Sequence, residues 1–226
     1  MSLLEVKNLT KTYKDAGKER VIFQNLNLTV NNGESVLLLG NSGCGKSTLL
    51  QIIGLIQLPT NGEIYIDGTK CTNHNISEKQ KNELLKSDIG FIYQFHYLFN
   101  DFTAFENLII PQIIKKVNIK TAKQRAIEIL QLLKMEHRKN AMPFELSGGE
   151  RQRIAIARAI IKQPKIILAD EPTGNLDNDM SDIVVEEMLN IVKKENIALI
   201  MVSHNREFSS KFNTTYRLSQ NGLTKI

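Results

Sequence analysis

Long apolar runs are missing from this 226-residue chain. The longest, such as Ile197 to Val202, fall far short of the roughly 18 residues that a membrane span needs. A membrane role is therefore expected only through a partner. The start, MSLLEVKNL, lacks the charged lead and apolar stretch of a signal peptide. Cysteine is scarce. Cys44 and Cys71 make neither a disulfide framework nor a zinc-ligand spacing, so a reducing cytosol fits. No Lys/Arg block is longer than a pair, although the net charge is +5. A basic excess spread this thinly argues against a nucleic-acid partner. Linkers, internal repeats and low-complexity tracts are absent as well. A 42% apolar content leaves enough material for a substantial core.

Hydrophobic spacing divides the chain. Leu4, Val6 and Leu9 predict one side of a strand, and Leu26, Leu28 and Val30 repeat the period of two. Ser35–Leu39 is continuously apolar, the pattern of a strand buried on both faces. Residues 62–68 read as a short strand between turn signals. Segments 104–116 and 121–135 have helical spacing, with Ile127, Leu130 and Leu133 as the apolar stripe of the second. A buried strand at 166–169, a helix at about 180–195 and a buried strand at 197–202 follow. Thr215–Leu218 with Asn221-Gly222 signals a hairpin. Strands alternating with helices predict an α/β core around a parallel sheet.

Gly40-Asn41-Ser42-Gly43-Cys44-Gly45-Lys46-Ser47, followed by Thr48, fits G-x-x-x-x-G-K-[ST] between a buried strand and a helical stretch, Ser47 to Ile53. Glycines let the backbone curl so that several N–H groups face phosphate oxygens. The helix start adds partial positive charge. Lys46 is then placed for the β- and γ-phosphates and Ser47 for Mg²⁺. A glycine-rich turn with a chance Lys-Ser is the competing explanation, and the strand–loop–helix context disfavours it.

The apolar strand Ile166–Ala169 ends in Asp170 and Glu171. Ligands of open α/β sheets bind at the carboxyl ends of strands. Asp170 is expected to hold Mg²⁺ through water and Glu171 to orient or deprotonate an attacking water. Taken alone, the pair reads more readily as an N-cap or a solvated acidic turn; the phosphate loop is what favours the functional reading. His204 ends the next buried strand, where a neutral imidazole can reach a γ-phosphate. His74, His96 and His137 have no such setting and read as surface or packing residues.

Leu146-Ser147-Gly148-Gly149-Glu150-Arg-Gln-Arg153 precedes a helix through Ile154 and Ile160. Physically it is a second anion nest at a helix start. It resembles the signature motif of ABC-type ATPases. The resemblance implies a P-loop NTPase core with a mainly parallel sheet, an N-terminal antiparallel β subdomain and a helical subdomain inserted at about 95–160. One domain over residues 1–226 is expected. It also implies a homodimer in which the signature of one subunit closes over ATP held by the other. Tyr13 then stands where an aromatic stacks on adenine. Gln94 stands at the lid, as a catalytic and Mg²⁺-contacting residue, Asn175 and Asp177 in the loop coupling the two sites, and His204 at the switch position.

Residues 89–112, with Glu145–Arg153 and Asp170–Asp177, further resemble the ATP-binding subunits of lipoprotein-releasing (Lol-type) systems. Asn100 replaces a usual proline, and Cys44 a small residue in a loop that works through its backbone. This narrower resemblance implies two integral-membrane partner subunits. It also implies a peripheral place on the cytoplasmic face of the inner membrane of a diderm bacterium. Macrolide-exporter-like and cell-division signalling ATPases of the same branch are the alternatives. The short stretch after His204 is expected to leave no room for a C-terminal regulatory domain. A soluble nucleic-acid-acting ABC ATPase would be expected to carry two modules or a coiled-coil insertion. A non-catalytic switch conflicts with Glu171 and His204. Phe95, Tyr97, Leu98, Phe99, Phe102 and Phe105 form a dense aromatic and apolar stretch expected to dock the membrane subunit.

Overall fold

The computed structural model describes residues 2–15, 18–72 and 76–226. Strands β1 (Ser2–Asp15) and β2 (Lys18–Asn31) pair antiparallel. Leu26, Leu28 and Val30 of β2 all point into the core, as a period of two requires. In β1 the period breaks, because Leu9 follows Val6 by three and a regular strand would turn it outward. Asn8 absorbs the extra residue at φ 49°, the register shifts between Val6 and Leu9, and Leu9 is buried.

Strand β3 (Ser35–Leu39) leads through a loop to helix α1 (Lys46–Ile53). Strands β4 (Asn61–Ile66) and β5 (Thr69–Lys70) complete an antiparallel sheet of order β2-β1-β4-β5. Helix α2 (Glu78–Ser87) and strand β6 (Ile89–Ile92) follow. Three helices come next: α3 (Ala104–Ile114), α4 (Ile119–Leu132) and α5 (Gly148–Ile160). The chain then runs through β7 (Ile166–Asp170), α6 (Asn178–Lys194), β8 (Ala198–Ser203), β9 (Thr214–Ser219) and β10 (Gly222–Lys225).

The second sheet has the order β10-β9-β3-β8-β7-β6. All its pairings are parallel except the β9–β10 hairpin at the edge. Its central strands separate two cores. Val36 and Leu38 of β3, Ile166 and Leu168 of β7, and Ile200 of β8 pack towards α1 and the antiparallel sheet. Leu37, Leu39, Ile167, Ala169, Leu199 and Met201 pack towards α3–α6. Burial on both faces is why these strands carry no alternation in sequence. In α4 the buried stripe is Ala122, Ala126, Ile129 and Leu130, continued by Leu133 just past its end, whereas Ile127 is only half-buried. The alanines that complete the stripe allow the close approach of α3 and escape a count of large apolar residues.

Segment 95–103 has no regular structure but is firmly held. The fully buried Asn107 donates to the carbonyls of Phe99, Phe102 and Thr103 and accepts the Phe99 N–H at 2.9 Å. Arg158 of α5 donates to the carbonyls of Tyr97 and His96 and lies 5.8 Å from the Phe99 ring. Among the described residues no helix is long and apolar enough to cross a membrane.

Candidate active site

The loop between β3 and α1 strongly favours glycine at two of its positions. Gly43 and Gly45 have φ of 75° and 100°, and a Cβ on Gly45 would meet Ile22 at 2.3 Å. Gly45 caps α1 without a side-chain bond, and no acidic residue sits in the first turn. The helix therefore presents uncapped N–H groups and its positive end to the cavity above. Lys46 is only 6% exposed. Its Nζ donates to the carbonyls of Gly40 (2.9 Å) and Asn41 (3.2 Å) and lies 3.5 Å from Glu171 Oε1. The loop holds its own cation.

Strands β3, β8 and β7 are neighbours, so their carboxyl ends converge. Asp170 ends β7, half-buried, with a buried Oδ1 that lacks a hydrogen-bond partner. Burial raises its pKa; Glu171 adds to that, while hydrogen bonding from Ser47 and the charge of Lys46 act the other way. Glu171 adopts φ 44°, a left-handed backbone rare for a non-glycine residue and concentrated at working sites. Its N–H donates to Val202 O, which pins the turn to β8. His204, just past β8, brings Nδ1 to 3.3 Å from Glu171 Oε2. Lys46 and His204 thus flank one carboxylate. An unpartnered buried carboxylate oxygen beside a serine hydroxyl is a donor set that suits a hard divalent cation.

A cavity of about 490 Å³ runs over this edge. Ser42, Gly43, Gly45, Lys46, Ser47 and Thr48 line it from below, and Gln94, Asp170 and Glu171 from the sheet. Tyr13 lines it as well, with Gln57 donating to its hydroxyl at 2.7 Å. Arg20 and Ile22 line it too, and nothing in their own sequence context marks them. They belong to β2, and only the pairing of Tyr13 with Arg20 across the hairpin carries them there. Gly40, Asn41, Cys44 and His204 border a second cavity of about 500 Å³ on the other flank of the loop, with Arg206 and Arg217.

The 146–150 segment lies outside both cavities. Ser147 caps α5: its Oγ accepts the Glu150 N–H (3.2 Å), and Glu150 Oε2 accepts the Ser147 N–H (2.7 Å). That backbone bond, with the Ser147 hydroxyl and Arg138 Nε at 3.1 Å, lowers the Glu150 pKa. Leu146 is buried and anchors the turn, while Ser147 is exposed. Gly149 leaves room for Met180, which a Cβ would meet at 3.0 Å, and Leu176 lies against Gly148. Asn175 donates to Gln94 O (2.9 Å), and the Gln94 amide packs on Gly174. Asp177 caps α6 by accepting the Met180 N–H. His96, read from sequence as a surface or packing residue, is half-buried against the Gly148 backbone, and burial lowers its pKa. His137 is exposed, and His74 lies outside the described residues.

Residues 23–174 match the family model described as ABC transporter. The chain belongs to the ABC transporter family. It is an ATPase of that family. It is 44% identical to the "Lipoprotein-releasing system ATP-binding protein LolD" of Rickettsia bellii, over 98% of this chain and 97% of that protein. The protein of the same name from Treponema denticola is 39% identical, over 98% of this chain and 97% of that protein. Among solved structures, the ATP-binding cassette MJ0796, a dimer in a post-hydrolysis state bound to ADP and Pi, superposes with a TM-score of 0.88. It is 33% identical, and the match covers 99% of this chain and 97% of that one.

Cys44 gives this ABC cassette a built-in reporter. Its thiol is half-buried at Gly40, whereas Cys71 is buried and burial raises its pKa. A small maleimide is expected to label Cys44 selectively, and saturating ATP to slow the labelling. Equal rates with and without ATP would show that phosphates do not cover the loop.

Proposed function

We propose that this chain is the ATP-hydrolysing subunit of a complex that releases acylated lipoproteins from the inner membrane toward the outer membrane. The observation that carries the hydrolytic part is the left-handed Glu171, flanked by Lys46 and His204 at the end of β7. The likeness to the lipoprotein-releasing proteins over nearly the full chain supports the substrate. In this reading Tyr13 stacks on adenine. The 40–48 loop cradles the phosphates with its amides and Lys46. Glu171 takes the proton of the attacking water, and His204 hydrogen-bonds the γ-phosphate. Asp170, Ser47 and Gln94 would hold Mg²⁺, which neutralises phosphate charge when bound. Leu146, Ser147, Gly148, Gly149 and Glu150 lie outside the cavity of their own subunit. That placement supports a head-to-tail homodimer in which they close the partner's site, with Asn175 and Asp177 at the junction.

Two integral-membrane subunits complete the complex at the cytoplasmic face of the inner membrane. The aromatic segment is the surface we assign to them. Phe95, Tyr97, Phe99 and Phe102 are exposed, while Leu98 and Phe105 pack inward. Asn107 and Arg158 fix the backbone, so the rings are presented without a cost of ordering. Phe99 also faces Arg158, where a carboxylate would find a new partner, so Phe95 is the cleaner position for a charge. Phe95→Glu is expected to keep the basal ATPase of the isolated chain and to lose capture of the membrane subunits.

Reconstitution tests the function. Proteoliposomes holding this chain and its co-purifying membrane subunits should release an acylated lipoprotein to a soluble carrier only with ATP. Membrane-stimulated hydrolysis without release would favour the macrolide-exporter-like or cell-division readings.

A further inference from the structure

Three of the exposed large apolar side chains lie within seven residues at one place, the turn joining α3 to α4. Ile113, Ile114 and Ile119 are 55%, 60% and 50% exposed. Scattered surface isoleucines are ordinary, but a cluster is not. Between Glu106 and Glu128 the chain carries no acidic residue, while Lys115, Lys116, Lys120, Lys123 and Arg125 fall in the same stretch. Arg125 is committed to Glu195 (2.7 Å). Among the described residues Lys116, Lys120 and Lys123 enter no ion pair, though Glu128 and Glu195 lie near. Lys115 donates to the Lys162 carbonyl, and Lys162 to the Leu85 carbonyl, so two ammonium groups crowd together on neutral partners. Burial, with Lys115 nearby, pushes Lys162 down to about 8. Lys115, Lys120 and Lys162 line an open cavity of about 520 Å³ beside the start of α4. Glu128 and Glu195 answer Arg125, Glu128 also lines the cavity, and Asp88 lies near Lys162, so the charge left without an ion pair is that of Lys116, Lys120 and Lys123.

Aliphatic side chains rimmed by lysines are the composition of a surface that lies on an anionic bilayer. The apolar tips enter the interface, and the long lysine stems carry their charges to phosphate headgroups. A protein partner selects differently, through aromatic and arginine anchors in pockets. The aromatic segment of this chain has that character, and it precedes the start of α3, whereas the isoleucines sit at its other end. With 11 residues, α3 separates the two surfaces by about 16 Å.

We propose that the α3–α4 turn, residues 113–120, contacts the membrane directly by binding anionic lipid headgroups. The isoleucines seat in the interface while the exposed Lys116 and Lys120 engage phosphates. The contact needs neither the membrane subunits nor any particular transported substrate. It stands if the lipoprotein reading fails, and the reverse also holds.

The chain has no tryptophan, so Ile114→Trp installs a unique indole. With the purified full chain, anionic vesicles (phosphatidylcholine with phosphatidylglycerol) should blue-shift its emission, and pure phosphatidylcholine vesicles should not. Each lysine near such a surface is worth about a fivefold change in partition. Adding Lys116→Glu and Lys120→Glu should therefore weaken vesicle binding by about 25-fold or more. Unchanged basal ATPase certifies the fold of both variants. The proposal is overturned if anionic vesicles leave the emission unmoved, or if charge reversal leaves vesicle binding intact. It is equally overturned if free inorganic phosphate alone produces the shift, which marks a soluble-anion site. A shift seen only with detergent-solubilised membrane subunits marks a protein interface and overturns it as well.

Discussion

Glu171→Gln is expected to lower ATP turnover by a factor on the order of 10² or more, while ATP affinity stays near wild type. The substitution keeps the size and reach of the side chain and removes only its ability to accept a proton. Lys46 keeps its two bonds to the carbonyls of Gly40 and Asn41, so the phosphate cradle does not depend on the lost charge. The backbone turn is also retained, since the Glu171 N–H still reaches Val202 O. A protein that binds ATP but does not consume it should accumulate as a nucleotide-loaded dimer, visible as an earlier peak on a sizing column. Turnover within a few-fold of wild type would remove Glu171 from the role of general base.

Ser147→Arg is expected to abolish hydrolysis while the monomer binds ATP almost normally. Loss of the Ser147 cap on α5 costs about 1 kcal/mol, too little to unfold a domain with two large cores. None of residues 146–150 lines the Lys46 cavity, so binding by a single subunit has no reason to suffer. A closed dimer would instead meet a bulky cation where a hydroxyl belongs. Mixing decides between neighbours and self. Lys46→Ala and Ser147→Arg subunits are each inactive alone, yet a mixed dimer contains one site with an intact Lys46 and an intact partner Ser147. Recovered turnover on mixing supports closure between subunits. A mixture as dead as its parts, or a matching loss of monomer binding, refutes it.

Much of this site was legible because phosphate chemistry constrains backbone as well as side chains. Gly43 and Gly45 occupy conformations that other residues adopt at a cost, so the motif survives as letters. The doubly buried strands β3, β7 and β8 were equally plain, since two cores demand unbroken apolar runs. What sequence hid was either short or non-local. Strand β6 has four residues with Gly90 among them, too few to show a period. Helix α2 buries none of its residues fully and packs only the adjacent Leu84 and Leu85 against the core, too little to show a stripe. Arg20 reaches the cavity only through cross-strand register. Asp177 looks in sequence like one more member of a coupling loop, and its capping bond to Met180 appears only in three dimensions.

Asn107 has a further consequence for how such a protein can change over generations. One buried amide, with Arg158, fixes the backbone from His96 to Thr103 by hydrogen bonds, and the exposed rings add edge contacts and the Phe99–Arg158 contact. Scaffold and recognition are thereby assigned to different residues. On the docking surface proposed above, the rings at 95, 97 and 102 can change with the membrane subunit at the cost of edge contacts among themselves and with Tyr93 and Phe99. Asn107 is denied that freedom: any residue there without both a donor and an acceptor strands several buried backbone groups at once. In the proposed complex, partner choice is thus evolvable because the amide beneath it is not.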